Sequence, residues 1–467
     1  MKNKMIFLVL DGFDYSYIIQ NIDSLPFFKQ LYENKRLNKL ESVVPADSIP
    51  SWTTIYTGLN PAQHGVLESI DYLNDRDNPT GNASIIKGNS FWDILSRKGK
   101  KVLVYNPFIA YPAWEVNGLM VCGPVFEGGD ISTNRPDNVN MGELPPLGGL
   151  VDHPTKENMK DFFDNNMRLT QAQFNSFKKL FDEDKYDFAF CGILTSDRVQ
   201  HFLWKYCDET DRCHPKGNSL KNTILEMYQL MERNVKDIFD RYSSKYDITV
   251  ISDHGHGRRC QKTFYINRWL IDNKYIPEKS LKYRSVEYAK NAMLTFLAKT
   301  HHVQKGSEFF KKFKFARKVK NADYVFKKKK QKIYAPNFDG VNPFGGINID
   351  RSYFSSVQEY EKCRQDIIDG LMSIKDNNKS IMLWAKRRED VYTGENVHNY
   401  PEIVYRMLDD YGVDRGLFGK HLFGISAFHE VISGGHRFEG VIMGTLDEIN
   451  DVGSVLNIHD YVINSVK

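Results

Sequence analysis

The chain of 467 residues has no run of about 18 consecutive apolar residues, so the sequence predicts no membrane-spanning helix. Its longest early apolar stretch, residues 5–10, stops at Asp11 without a small-residue cleavage site. This indicates a buried strand rather than a secretion signal, and we expect a cytoplasmic protein. The six cysteines include no CxxC pair, which argues against a disulfide framework and common zinc modules. A GxSxG elbow is also missing, which argues against serine hydrolases of that type.

Hydrophobic residues make up 41% of the chain and aromatic residues 13%, which is enough for a large core and excludes disordered or fibrous classes. The net charge of +4 is unevenly distributed, since Lys305–Lys332 holds 12 Lys and Arg against 2 Asp and Glu. Phenylalanines lie between these charges. The segment is either a solvated helix face or a contact for an anionic lipid surface, a nucleotide or a phosphorylated glycan. No nucleic-acid-binding motif accompanies it.

Short apolar runs alternate with helical patterns along the chain, which predicts an α/β fold. The runs that read as buried parallel strands are residues 5–10, 101–105, 188–194 and 248–252. The intervening helical patterns cover residues 25–33, 91–98, 160–181 and 220–242. We therefore expect a doubly wound, mostly parallel central sheet with helices on both faces. In such sheets ligands bind beyond the carboxyl ends of the strands.

Acidic residues follow three of these predicted strands. Asp11 comes directly after the first, Asp197 follows the third, and Asp253 follows the fourth. His201 lies four residues after Asp197, a spacing that places both side chains on one face of a helix, and His254 is adjacent to Asp253. One such aspartate is commonly a turn or capping residue, but three together predict a site.

Carboxylate and imidazole groups are ligands of zinc and manganese. With His436, the residues above form a set of six candidates, and with one hydroxyl they would suffice for two divalent ions, Zn²⁺ or Mn²⁺. We assign a structural role to five of the histidines outside this pattern, His64, His256, His421, His429 and His459.

Five segments in a fixed order carry a resemblance to a known family. They are IFLVLDGFD at residues 6–14, VVPADSIPSWTTIYTGLNPAQHG at 43–65, SFWDILSRKGKKVLVYNPF at 90–108, GILTSDRVQHFLW at 192–204 with ISDHG at 251–255, and SGGHRFEGVIM at 433–443. The chain resembles the alkaline phosphatase superfamily. Within it the sequence is similar to the type I phosphodiesterase/nucleotide pyrophosphatase branch and its bacterial phosphohydrolase and phosphomutase relatives.

The resemblance implies a role for each site residue. Ser48 would be the nucleophile, although Asp47 and Ser51 beside it are easily mistaken for it. One ion would be held by Asp11, Ser48, Asp253 and His254, and the other by Asp197, His201 and His436. The domains would be a catalytic core at residues 1–280, a basic helical insertion or cap at 281–342, and the rest of the core, with the third metal histidine, at 343–467.

Two positions depart from family patterns. Trp52 occupies the place where sulfatases of the superfamily need Arg, which argues against a sulfatase. Ser69 matches the position where nucleotide pyrophosphatases carry an Asn that holds a phosphate oxygen, which leaves the preference for diesters open.

The resemblance implies a two-metal hydrolase that cleaves a phosphodiester or a phosphoanhydride through a covalent phospho-serine intermediate. A phosphomonoesterase or a phosphomutase on the same core is the first alternative. The second is a binding protein without catalysis that docks on an anionic partner. The sequence identifies neither the substrate nor the oligomeric state.

Overall fold

The computed structural model describes residues 2–66, 81–125, 129–149, 154–277, 292–293, 296–297, 332–336, 338–339, 341–415 and 421–467. Ser69, residues 305–331 of the basic segment and most of the proposed insertion lie outside these ranges. The substrate contact, the anionic surface and the domain boundaries predicted there therefore stay predictions.

The chain divides into two compact units. The first unit contains Met1–Thr210, His214–Gly257 and His436–Lys467, and the second contains Asp211–Cys213 and Arg258–Gly435. The first unit includes every candidate metal ligand predicted from the sequence.

Strands occur in both units. In chain order they are β1 Met5–Leu10, β2 Leu37–Glu41, β3 Val102–Tyr105, β4 Gly118–Cys122, β5 Ser132–Thr133, β6 Phe188–Ile193, β7 Asp247–Ile251, β8 Gly255–Arg258, β9 Lys262–Tyr265, β10 Ile333–Tyr334, β11 Phe344–Ile349, β12 Lys375–Asp376, β13 Lys379–Ser380, β14 Met382–Arg387, β15 Ile403–Met407, β16 Tyr411–Asp414, β17 Phe423–Ile425, β18 Gly434–Arg437 and β19 Glu439–Gly444.

The α-helices are α1 Tyr15–Gln20, α2 Pro26–Glu33, α3 Ser48–Thr57, α4 Pro61–His64, α5 Gly81–Ile86, α6 Phe91–Arg97, α7 Met159–Asp182, α8 Thr195–Cys207, α9 Thr223–Tyr242, α10 Ile266–Asp272, α11 Val357–Met372 and α12 Ile458–Ser465. Within the ranges described above, none of the helices combines the length and apolar character needed to cross a membrane.

The larger sheet belongs to the first unit and has the strand order β2-β19-β7-β1-β6-β3-β4-β5. Strands β7, β1, β6, β3 and β4 run parallel, whereas β19 is antiparallel to both β2 and β7, and β5 is antiparallel to β4. Every residue of β1, β6 and β7 is buried, which is typical of parallel strands covered on both faces. The predicted α/β fold with a mostly parallel central sheet is confirmed.

Aromatic side chains hold helix α3 against this sheet. Trp52 and Tyr56 of α3 belong to one buried cluster with Trp92 of α6 and Phe190 of β6. The Tyr56 ring meets the Trp92 ring edge-on with centroids 4.6 Å apart, and it meets the Phe190 ring at 5.7 Å. Such contacts contribute about 0.5–1.5 kcal/mol each beyond area burial. They fix the position of α3, whose first residue is Ser48.

The second unit has its own sheets and core. Antiparallel strands in the order β10-β11-β15-β14 form one sheet, and β16-β9-β17 form another. Apolar side chains that include Trp269, Ile347, Ile367 and Tyr405 form its core. Strand β11 pairs antiparallel with β15 in this unit.

Candidate active site

Three neighbouring strands deliver carboxylates to one edge of the larger sheet. Strands β7, β1 and β6 are adjacent and parallel, and the register pairs Leu10 with Ile193 at their ends. Asp11 follows β1 directly, Asp253 lies two residues beyond β7, and Asp197 lies in the first turn of α8, which begins just after β6. The expected convergence of the three carboxylates at the carboxyl ends of the strands is therefore present.

The turn after Asp11 brings the strand ends into contact. Gly12 has φ of +66°, a conformation that L side chains rarely adopt. Its amide donates to Asp253 Oδ1 at 3.2 Å, and a Cβ added to it would lie 2.8 Å from Asp197 Oδ1. Glycine is therefore needed at position 12 for its positive φ and for the lack of space for a Cβ. It allows the loop after β1 to contact the residues that follow β6 and β7.

Ser48 is the first residue of α3 and follows its N-cap, Asp47, whose carboxylate accepts from the Ile49 amide at 3.1 Å. Its Oγ lies 3.0 Å from His254 Nε2. The neighbouring Ser51 is fully buried and donates to the Asp253 carbonyl at 2.7 Å. Asp47 and Ser51, which are easily mistaken for the nucleophile in the sequence, thus stabilise local structure. Ser48, the predicted nucleophile, faces the acidic cluster.

We call Asp11, Ser48, Asp253 and His254 the Ser48 half-site. His254 Nε2 lies 3.2 Å from Asp253 Oδ2 and 3.7 Å from Asp11 Oδ1. His254 Nδ1 is 2.9 Å from the Gly255 carbonyl, and a carbonyl can only accept, so Nδ1 carries the proton. The lone pair of Nε2 therefore points toward the carboxylates and the Ser48 hydroxyl.

We call Asp197, His201 and His436 the Asp197 half-site. His201 Nε2 lies 3.2 Å from Asp197 Oδ2, as the four-residue spacing on α8 predicts. His436 Nε2 lies 3.1 Å from His201 Nε2 and 3.7 Å from Asp197 Oδ1. His436 Nδ1 donates to the Ala46 carbonyl at 2.9 Å, which leaves the Nε2 lone pair facing the other two donors. The rings of His254 and His436 stack at 4.0 Å, so the half-sites are adjacent.

Burial and mutual repulsion perturb the carboxylates. Burial, together with the neighbouring Asp253 and Asp197, raises the pKa of Asp11 well above its usual range. Burial also raises the pKa of Asp253. Burial alone would raise the pKa of Asp197, but the surrounding imidazoles, His201 foremost, hold it well below its usual range.

Unsatisfied oxygens show that this chemistry fits divalent ions. Asp11 Oδ1, Asp197 Oδ1 and Asp253 Oδ2 are buried and have no hydrogen-bond partner among the described residues. Buried polar atoms are ordinarily paired, so three unpaired carboxylate oxygens in one cluster have the chemistry to bind a cation. The clusters Asp11–Asp253–His254 and Asp197–His254–His436 each have one donor atom per residue within 4.8 Å of the others.

One residue of the cluster was missed by the sequence reasoning. His256 was assigned a structural role, yet it lies beside Asp197 and His201, with which it forms a further cluster of possible ligands. His64, by contrast, sits within the fold. Its Nε2 is 3.1 Å from Thr54 Oγ1, and burial lowers its pKa to about 3.

Comparisons with known proteins agree with this geometry. The model of the type I phosphodiesterase / nucleotide pyrophosphatase family matches residues 5–397, so the chain belongs to that family of phosphoryl-group hydrolases. Its resemblance to the alkaline phosphatase superfamily is thereby confirmed.

Solved structures show the same fold. Phosphonoacetate hydrolase from Sinorhizobium meliloti 1021 in complex with phosphonoformate matches with a TM-score of 0.54 at 14% identity, over 99% of this chain and 95% of that one. The same enzyme in complex with phosphonoacetate gives identical values. A search of curated proteins returns no significant match.

Proposed function

We propose that the protein is a two-metal hydrolase that cleaves a phosphodiester or a phosphoanhydride, with Ser48 as the nucleophile. The observation that carries this proposal is the position of the Ser48 hydroxyl. It lies 3.0 Å from His254 Nε2, beside buried carboxylate oxygens that have no hydrogen-bond donors among the described residues. A hydroxyl in this position is suited to become a nucleophile only if a cation balances the carboxylates around it.

Two sets of residues would hold the ions. Asp11, Ser48, Asp253 and His254 would hold one, and Asp197, His201 and His436 would hold the other. When bound, such ions lower the pKa of a coordinated hydroxyl and stabilise negative charge on phosphoryl oxygens. The donor atoms suit Zn²⁺ and Mn²⁺, as the sequence predicts.

Residues of the chain prepare Ser48 for attack. Its place in the first turn of α3, a helix of ten residues, puts Oγ at the positive end of the helix dipole, which favours both the ionised hydroxyl and an anionic substrate. The Ser42 and Ser51 hydroxyls both donate to the Asp253 carbonyl at 2.7 Å, which fixes the backbone of the Asp253 loop against the segment that carries Ser48.

The reaction has two steps. Ser48 Oγ gives up its proton to solvent and forms a bond to phosphorus while the bond from phosphorus to the leaving oxygen breaks. The leaving group departs with the electron pair and takes up a proton from solvent. Water then attacks the same phosphorus and gives up a proton, the bond to Ser48 Oγ breaks, and Ser48 Oγ takes up that proton. The second product leaves as a phosphate or a phosphate monoester.

The test compares two substrates on wild type and Ser48→Ala. Bis-p-nitrophenyl phosphate reports diesterase activity and p-nitrophenyl phosphate reports monoesterase activity, each with Zn²⁺ or Mn²⁺ added. Because the nucleophile is lost, we expect diester turnover to fall at least about a thousandfold in Ser48→Ala. Ser465→Ala removes a buried hydroxyl that donates to the Tyr461 carbonyl at 2.8 Å in α12, and it should keep wild-type activity.

Each alternative predicts a different result. Turnover of the monoester alone would favour a phosphatase or a phosphomutase. Undiminished turnover in Ser48→Ala would overturn the assignment of the nucleophile. Absence of turnover together with absence of bound metal would favour the binding protein. Acid-quenched turnover followed by peptide mass spectrometry tests the covalent intermediate, which should appear on the peptide that contains Ser48.

A further inference from the structure

His256 is buried beside the Asp197 half-site without any hydrogen bond to its ring. It is 1% exposed, and neither Nδ1 nor Nε2 has a hydrogen-bond partner among the described residues. A buried imidazole normally pairs at least one nitrogen with a donor or an acceptor, because an unpaired buried polar atom destabilises the fold. This histidine therefore requires an explanation beyond packing.

The surroundings of His256 hold it in this place. Its amide donates to Asp14 Oδ2 at 3.1 Å, and its ring stacks on Trp204 of α8 with a centroid distance of 6.0 Å. The preceding residue must be glycine, since a Cβ on Gly255 would meet Asp14 Oδ2 at 2.5 Å. These contacts fix the backbone of His256 and hold its ring against α8, the helix that carries Asp197 and His201.

The Nε2 atom of His256 lies next to the Asp197 half-site. His256 Nε2 lies 3.3 Å from Asp197 Oδ1, the same oxygen that faces His436 and has no hydrogen-bond partner. The His256 ring centroid lies 4.7 Å from that of His201. Two donor atoms that each bind one tetrahedral ion at about 2.0–2.1 Å lie roughly as far apart as His256 Nε2 and Asp197 Oδ1 do. The separations therefore suit co-ligands of one cation.

We propose that His256 is a fourth protein ligand of the ion in the Asp197 half-site, an inference that rests on the metal dependence of the proposed function. The donor set becomes one carboxylate and three imidazoles. If all four residues held one ion, a substrate oxygen would need a fifth position on that ion.

The experiment measures metal binding directly. Wild type, His256→Met and His256→Gln are titrated with Zn²⁺ against a chromophoric chelator, and the visible spectrum of each Co²⁺-loaded protein is recorded. Because a ligand is lost, one of the two dissociation constants should rise at least about tenfold in both variants. Because the visible bands of Co²⁺ depend on its ligands, the bands should shift or change in intensity in both variants. His459→Met, which changes a histidine near Phe91 and Gly58, is the matched control and should behave as wild type.

The outcomes separate this inference from the proposed function. Two bound ions with unchanged constants and unchanged Co²⁺ spectra in both variants would overturn the inference alone. If His256→Gln kept the wild-type affinity and His256→Met did not, the inference would also be overturned. A hydrogen bond from His256 to Asp197 would then explain the position of His256. If wild type binds no ion at all, the proposed function itself fails.

Discussion

The two half-sites differ in the balance between their carboxylates and imidazoles. The Ser48 half-site has two carboxylates and one imidazole, and burial raises the pKa of both Asp11 and Asp253. The Asp197 half-site has one carboxylate among several imidazoles, which hold the pKa of Asp197 low. The carboxylates of the first half-site therefore repel one another when ionised, whereas the imidazoles around the single carboxylate of the second favour its ionised form.

This difference assigns distinct work to the two half-sites. In the proposed mechanism, a cation in the Ser48 half-site would offset repulsion and activate the hydroxyl. A cation in the Asp197 half-site would replace contacts that already exist between the carboxylate and the imidazoles. The donors also differ, because oxygen-rich sets suit Mn²⁺ and imidazole-rich sets suit Zn²⁺. The preference for Zn²⁺ or Mn²⁺ therefore has to be measured for each half-site separately.

Metal removal should have the largest effect. Because the two proposed ions would stabilise charge in the transition state, stripping the protein with a chelator should raise the barrier by about 4 kcal/mol and so lower diester turnover about a thousandfold. Adding back Zn²⁺ and Mn²⁺ together should restore turnover, and the titration should show two phases if the half-sites differ in affinity. Chelator-resistant turnover would contradict two-metal chemistry.

Substitution of one carboxylate in each half-site should change the stability of the metal-free protein in opposite directions. Asp11→Asn removes a repelling charge and should raise the free energy of unfolding at neutral pH by about 1–2 kcal/mol. Asp197→Asn weakens the partly buried contact with His201 and should lower it by about 1–2 kcal/mol. Urea unfolding of the stripped proteins measures both effects, and both variants should lose catalysis.

The pH dependence follows from the same shifts. The folded state raises the pKa of Asp11, so it binds more protons than the unfolded chain, and this group destabilises the fold as pH rises above its unfolded pKa of about 3.9. The gain from Asp11→Asn should therefore disappear in acid. Asp197 has a lowered pKa, so its contribution is present above the unfolded pKa and is lost as pH falls. Equal effects of the two substitutions would remove the distinction between the half-sites.

Gly12→Ala should have the smallest effect on turnover. The new Cβ would lie 2.8 Å from Asp197 Oδ1 and would force an L residue to φ of +66°, so we expect a loss of about 1–2 kcal/mol and a drop in turnover of about tenfold. Gly58→Ala is the matched control, because its φ is +70° and its Cβ would meet His459 Cβ at 2.9 Å away from the candidate ligands. It should cost similar stability and keep catalysis. Equal turnover in both variants would show that the contact between Gly12 and Asp197 is unimportant.

Much of this site could be predicted because its signals are local. Fully buried parallel strands such as β1 and β6 appear as continuous apolar runs, so the residues that follow them can be found without a structure. The spacing of Asp197 and His201 on a helix is likewise a local pattern. Ser48 needed the family resemblance, since the hydrogen bond that distinguishes Ser51 from it is made to the distant Asp253 carbonyl.

Other features depend on long-range pairing and gave no local signal. His256 lies between two glycines in the short strand β8, where neither periodicity nor spacing connects it with Asp197. The antiparallel pairing of β11 with β15 joins segments that are far apart in sequence, so the sheet of the second unit could not be anticipated from its strands alone. In both cases tertiary contacts decide the outcome.

The most direct test of the two-ion account is the metal content of purified wild type, Asp253→Asn and Asp197→Asn after equilibration with Zn²⁺ or Mn²⁺. The account predicts two ions per chain in wild type and one in each variant, because each substitution disrupts a different half-site. A wild-type protein that turns over substrate without bound metal, or variants that both retain two ions, would contradict it.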